Sequence, residues 1–178
     1  MNGKWKKLAS KYIYKNPWIG IREDEVIMPD GQNGIYGVVE LPRGVCIIPV
    51  QKDGRIWMVK HYRYIFDDSH WELAAGDIES GESAEQAGKR ELLEELDLVA
   101  EDWKTLGQFR STNGSADQTA HVLAATGLIK QKSPTDEWDI EERKTFSIKE
   151  IDQMIKGGEI VDGFVMNALY FYKLFITS

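Results

Sequence analysis

Glu91, Glu94 and Glu95 fall within five residues of one predicted helix, Ser83 to Leu96. One helical turn separates Glu91 from Glu95, so the two share a face, and Glu94 borders it. Like charges at these spacings cost a bare helix roughly a few tenths of a kcal/mol per pair. Glutamates near a helix C-terminus also oppose the macrodipole. A helix that needed only to be solvated would place lysines among them. A divalent cation reverses the balance, because clustered carboxylates are the oxygen ligands that Mg²⁺ or Mn²⁺ takes. Arg90 stands four residues before Glu94 and can hold that carboxylate in place.

The loop ahead of the helix supplies a second set of groups. Gly76 and Gly81 let the backbone turn sharply and approach a ligand closely. Glu82 can turn back towards the helix, and Ala75 can offer its carbonyl oxygen to a cation.

The elements that must position these groups are legible in outline. Ser83 with Gln86 forms a capping box that starts the acidic helix, and Ser147 with Glu150 starts a second one running to about Lys156, where Gly157-Gly158 stops it. A third, apolar helix is expected over Gly163–Ile176, packed in the core or in a subunit interface. Strands are predicted at Lys11–Lys15, Ile21–Met28, Ile35–Leu41, Gly44–Val50, Arg55–Tyr62, Trp71–Ala74, Trp103–Arg110, Thr119–Ala125 and Lys144–Ser147. Pro29-Asp30-Gly31 is a turn, and Lys52-Asp53-Gly54 predicts a hairpin between the two apolar strands. Strands and helices in this mixed order give an α/β or α+β sandwich.

Composition narrows the chemistry. The net charge of −7 argues against general binding of DNA or RNA, although cations held locally would still admit a small anionic substrate. The single cysteine, Cys46, lies in the apolar run Val45–Ile48 and is expected to be buried packing. No apolar segment is long enough to span a membrane, and no apolar leader follows the basic N-terminus. A cytoplasmic protein is the expectation.

The segment Gly76–Leu98 resembles the Nudix box, GX5EX7REUXEEXGU. Gly76, Glu82, Arg90, Glu91, Leu92, Glu94, Glu95 and Leu98 match it. Six such identities coincide by chance on the order of 10⁻⁸ per starting position. One position departs: Asp97 stands where the pattern has glycine, at the helix end, where Asp can adopt the left-handed conformation. The likeness extends outside the box to the subgroup of ADP-ribose and nucleoside diphosphate sugar pyrophosphatases. Glu72-Leu73-Ala74-Ala75-Gly76 is similar to their E-L-P-A-G lead-in, and His61-Tyr62-Arg63 to their Q-Y-R segment. Pro17-Trp18, Arg22-Glu23-Asp24, and Gly157–Ile160 with Asp162-Gly163 resemble their terminal segments.

That resemblance implies an α/β/α Nudix sandwich with a mixed sheet. It implies an N-terminal arm of antiparallel strands over residues 1–40, a hydrolase domain over 41–178, and a homodimer whose active sites are shared. It assigns two or three Mg²⁺ (or Mn²⁺) ions to Glu91, Glu95, Glu94 and Ala75, with Glu94 and Arg90 also in the catalytic set. Trp18, Arg22, Arg63, Glu72 and Asn113 become candidate substrate contacts, with Tyr12 and Tyr14 beside Trp18. Asn113 replaces a proline of the ADP-ribose enzymes, which favours the broader class of nucleoside diphosphate sugars (GDP-mannose or ADP-ribose type) as substrate. A general base is expected on the acidic stretch Ser133–Glu141, at Glu137, with Asp136 and Glu141 as neighbours. A nucleoside triphosphate pyrophosphohydrolase is the alternative enzyme, and an inactive nucleotide-sugar sensor the alternative class.

Overall fold

The computed structural model describes residues 3–135 and 138–176. Its first strands are β1 (Lys6–Lys15), β2 (Gly20–Ile27) and β3 (Asn33–Glu40), an antiparallel sheet in that order. The turn at Pro29-Asp30-Gly31 forms as expected, with Gly31 at φ 89° donating its N–H to Met28 O (2.9 Å). β1 begins five residues before the predicted strand, carried by its ladder to β2. Residues up to Arg43 and Arg110–Thr119 make one unit. Val39 N–H donates to Ser115 O (2.8 Å) and the Tyr36 hydroxyl to Gly114 O (2.6 Å) within it.

The second unit, Gly44–Phe109 with the chain from Ala120 onwards, carries the acidic helix. Its elements are β4 (Gly44–Pro49), β5 (Ile56–Arg63), β6 (Asp68–Glu72), β7 (Ala75–Asp77), α1 (Ala84–Leu96), β8 (Leu98–Arg110), β9 (Thr119–Lys130), β10 (Ile140–Phe146), α2 (Ile148–Gly157) and α3 (Gly163–Ile176). One sheet has the order β10-β5-β6, and the other β7-β4-β9-β8. β4 runs parallel to β9 and antiparallel to β7, so the second sheet is mixed.

β4 is buried along its whole length because both of its faces are covered. Val45 and Ile47 pack in the cluster that contains Ala87, Leu92 and Leu96 of α1. Cys46 and Ile48 pack in the cluster that contains Ile151 and Met154 of α2 and Val165, Ala168 and Leu169 of α3. This period-two division produces the α/β/α layering that the sequence suggested.

Two expectations are corrected. The Lys52–Gly54 turn exists, with Gly54 at φ 82° and Gln51 N–H donating to Arg55 O (2.8 Å). It does not open an extended hairpin. Beyond the single bridge Val50↔Ile56, β4 pairs with β7 and β9 while β5 pairs with β6 and β10. The turn passes the chain from one sheet to the other. The predicted strand Trp71–Ala74 is also divided. β6 ends at Glu72, Ala74 O accepts the Ile47 N–H (2.8 Å), and the separate strand β7 starts at Ala75 on β4. Leu73-Ala74 is therefore a second crossover, and it brings Glu72 and Gly76 from different sheets to one place.

α1 is built as its sequence indicates. Ser83 accepts the Gln86 N–H (3.2 Å), and the Gln86 side chain accepts the Ser83 N–H (2.8 Å). Asp97 closes the helix at φ 54°, ψ 40°, in the left-handed conformation. Glycine would adopt that backbone more easily. Asp97 provides a compensation that glycine lacks: its carboxylate accepts the N–H of buried Ser133 at 2.7 Å. Its carbonyl accepts the Gln131 N–H (2.9 Å), so the helix end anchors the chain that leads from β9 to β10.

Candidate active site

The face of α1 that meets β7 carries Glu91 and Glu95, 8% and 6% exposed. Burying carboxylates is costly unless something pairs them. β7 accommodates them with its backbone. Ala75 N–H donates to Glu95 Oε2 (3.1 Å). Gly76 lies directly under Glu91, and a Cβ at that position would overlap the Glu91 carboxylate. The glycine is required here by close approach rather than by an unusual φ.

Arg90 gathers the remaining acids. Its Nη1 donates to Glu91 Oε1 (2.6 Å) and to Glu94 Oε2 (3.2 Å). Its Nε and Nη2 reach the two Glu82 oxygens at 3.2 and 3.1 Å, and Nη2 also donates to Asp77 O (2.8 Å). Glu82 therefore serves Arg90, and one guanidinium fastens the loop to the helix. Its hydrogen bonds to Glu82, together with those to Glu91 and Glu94, hold Arg90 firmly in its charged form.

β5 and β6 complete the surroundings. Arg63 grips Glu72 in a fork, with Nε to Oε1 at 2.8 Å and Nη2 on Oε2. Burial alone would raise the Glu72 carboxyl, but the hydrogen bonds from Arg63 outweigh it and bring its pKa to about 2. His61 is buried between Glu72 and Glu95, with Nδ1 3.8 Å from Glu72 Oε2 and Nε2 3.7 Å from Glu95 Oε1. The Glu95 carboxyl is pushed well above the ordinary range, first by burial and then by the Glu91 charge.

These residues fit a divalent cation. Among the described residues no three His, Cys, Asp or Glu side chains already converge as a cation cage. Glu91 and Glu94 lean on Arg90, and Glu95 rests on the Ala75 N–H. The donor chemistry nevertheless suits a hard ion, because two buried carboxylates sit one turn apart and the charge of one disfavours that of the other. Cys46 is no competitor as a ligand or nucleophile, since full burial drives its thiol upward.

The other sequence candidates are distributed unevenly. Ala75, Arg63, Glu72, Arg90, Glu91, Glu94 and Glu95 all belong to the second unit. Trp18, Arg22 and Asn113 belong to the first. Trp18 is 70% exposed. Arg22 is paired with Asp24 (3.0 Å) and Glu40. Asn113 lies in a turn in which Ser115 N–H donates to Thr112 O (3.0 Å). Glu137 and Asp136 fall outside the described residues. Glu141 accepts from the Ser69 hydroxyl at 2.7 Å and faces Lys60 at 3.6 Å. Sequence reasoning used His61 only as part of a motif and did not single out Asp139, whose Oδ1 is 4.0 Å from His61 Nε2. The i, i+2 spacing of His61 and Arg63 on one strand was the available signal.

Residues 40–166 match the NUDIX domain, and residues 5–39 match the nucleoside diphosphate sugar hydrolase N-terminal domain. The chain belongs to the NUDIX family and is a Nudix hydrolase. It is similar to the methanol dehydrogenase activator of Bacillus methanolicus, 29% identical over 95% of this chain and 92% of that protein. It is 30% identical to the ADP-ribose pyrophosphatase of Mycobacterium tuberculosis, over 87% of this chain and 76% of that one. A crystal structure of an ADP compounds hydrolase shares the fold, with a TM-score of 0.89 at 17% identity over 99% of this chain and 96% of that one. Within its family the chain is an ADP-ribose-pyrophosphatase-like hydrolase.

The close approach at β7 gives a direct test. Gly76→Ala forces the Glu91 carboxylate aside while leaving an ordinary backbone, so hydrolytic turnover should fall by about tenfold or more. Stability measured by urea unfolding should change by no more than about 1 kcal/mol. Normal turnover in this variant would show that the close seating of Glu91 on Gly76 is not used.

Proposed function

We propose that the enzyme hydrolyses the pyrophosphate bond of nucleoside diphosphate sugars, of GDP-mannose or ADP-ribose type, to a nucleoside monophosphate and a sugar phosphate. The observation that carries this reading is the buried Glu91–Glu95 pair, seated on the β7 backbone at Gly76 and Ala75. Bound Mg²⁺ or Mn²⁺, in two or three ions, would neutralise phosphate charge and lower the pKa of the attacking water. Glu91, Glu95, Glu94 and the Ala75 carbonyl are the groups that would hold them.

The chain's own residues do the positioning. Arg90 keeps Glu91 and Glu94 at fixed spacing through its fork of donors. Glu72 anchors Arg63 through Nε and Nη2, which leaves the Nη1 edge to meet a substrate phosphate. Trp18, with its exposed ring, is the proposed platform for the base. Asn113 is proposed on the sugar side. Arg22 would contact substrate only by leaving Asp24 and Glu40. Glu137 is the proposed general base, accepting the proton of the attacking water. The match of residues 5–39 to the nucleoside diphosphate sugar hydrolase N-terminal domain supports diphosphate sugars over nucleoside triphosphates as substrates.

The arm supports a homodimer. Every residue of β1 is exposed, including Leu8, Tyr12, Ile13 and Tyr14, and an open apolar edge strand invites pairing. A second copy of the chain is the proposed cover, with each active site borrowing residues from its partner. Sedimentation velocity at micromolar concentration should return twice the chain mass of 20.3 kDa; a single 20.3 kDa species would remove the shared site.

Substrate class is tested by a panel of ADP-ribose, GDP-mannose, ADP-glucose and the dNTPs, with Mg²⁺ and with excess EDTA. A diphosphate sugar should exceed every dNTP in kcat/KM by at least about tenfold. EDTA should abolish turnover, and Glu137→Gln should lower kcat by about 100-fold or more. A dNTP as best substrate would select the triphosphate reading. Full activity in EDTA would remove the cations from the reaction.

A further inference from the structure

His61 occupies the middle of the site, and the proposed chemistry gives it no part. On β5 it lies two residues before Arg63, so both side chains leave the same face of the strand. Across the ladder His61 is opposite His70, and Val59 is opposite Glu72. Arg63 therefore reaches back along the strand past His61 to grip Glu72.

His61 is only 3% exposed, and its two ring nitrogens face different parts of the site. Nδ1 is 3.3 Å from Arg63 Nη2. Nε2 faces Glu95 Oε1 at 3.7 Å and Asp139 Oδ1 at 4.0 Å. A guanidinium has only donors to offer. Glu72 Oε2, at 3.8 Å, lies beyond hydrogen-bond reach of Nδ1. Nδ1 is therefore set to accept from Arg63, which places the ring proton on Nε2, directed at Glu95 and Asp139. At 3.7 Å that N–H is an oriented dipole facing Glu95 rather than a formed hydrogen bond.

We propose that His61 is a positioning residue that, as the Nε2–H tautomer, steadies Arg63 on one side and aims the Glu95 carboxylate on the other. It thereby ties the phosphate-contacting pair Arg63–Glu72 to the cation-holding end of the site. The proposal rests on the cation-holding role of Glu95 argued above. A glutamine amide offers the same combination of one acceptor and one donor on a single side chain. Leucine fills similar space with neither.

Two measurements test it. In ¹⁵N NMR of the metal-free wild type at neutral pH, His61 should show a protonated Nε2 and an unprotonated Nδ1. The opposite tautomer would overturn the proposal, and this readout needs no variant to fold. In calorimetric titration with Mn²⁺ alone, His61→Leu should bind about tenfold or more weakly, with kcat falling and the KM for substrate changing less. His61→Gln should stay within about threefold of wild type in both. A folded His61→Leu protein, by circular dichroism, that binds Mn²⁺ as wild type does would leave His61 a packing residue only. A wild type that binds no Mn²⁺ would instead overturn the earlier reading of Glu95.

Discussion

Two carboxylates one helical turn apart, both removed from water, define this molecule. In isolation such a pair is unfavourable twice over. Each charge loses hydration, and each repels the other through poorly screening protein. The upward displacement of Glu95 is the visible result, with burial first and Glu91 second among its causes. Arg90 relieves Glu91 and Glu94 but not Glu95, whose hydrogen bond comes from the neutral Ala75 amide. A divalent cation is the species that turns this arrangement from a strain into a binding site.

The fold can be understood as the means of holding that pair. β4 must be central and covered on both faces, because α1 needs a rigid apolar floor for Ala87, Leu92 and Leu96. The crossover at Leu73-Ala74 then delivers two different things from two sheets. β6 contributes Glu72 with its Arg63 fork, and β7 contributes a bare backbone beneath Glu91. Neither sheet alone could present both. A site assembled from element ends in this way keeps its side chains on stiff supports, which is what electrostatic positioning of a phosphoanhydride requires.

Much of this was legible in the sequence, and the reasons are specific. The helix was readable because its capping box, its apolar positions and its glutamates agree on one register, and Ser83 and Gln86 pair as expected. Asp97 could be placed at a left-handed helix end because few residues besides glycine tolerate it. Its bond to Ser133 was not readable, since a contact across 36 residues leaves no local pattern. The β4–β5 turn misled for a similar reason. Turn chemistry reports that the chain reverses, not whether the flanking strands go on to pair with each other. Glu72 was recognised from its motif, but its partnership with Arg63 and His61 depends on cross-strand register, which sequence does not disclose.

Strain between the buried acids is tested most directly by thermal unfolding of wild type and Glu95→Gln, each with EDTA and with saturating Mg²⁺. If the pair is a cation site, Mg²⁺ alone raises the Tm of wild type by about 5 °C or more and barely moves the variant. In EDTA the variant should melt no lower than wild type, because a neutral amide replaces a carboxyl that burial and Glu91 disfavour as a charge. A wild-type Tm indifferent to Mg²⁺, together with a metal-free Glu95→Gln protein that melts well below it, would contradict the claim.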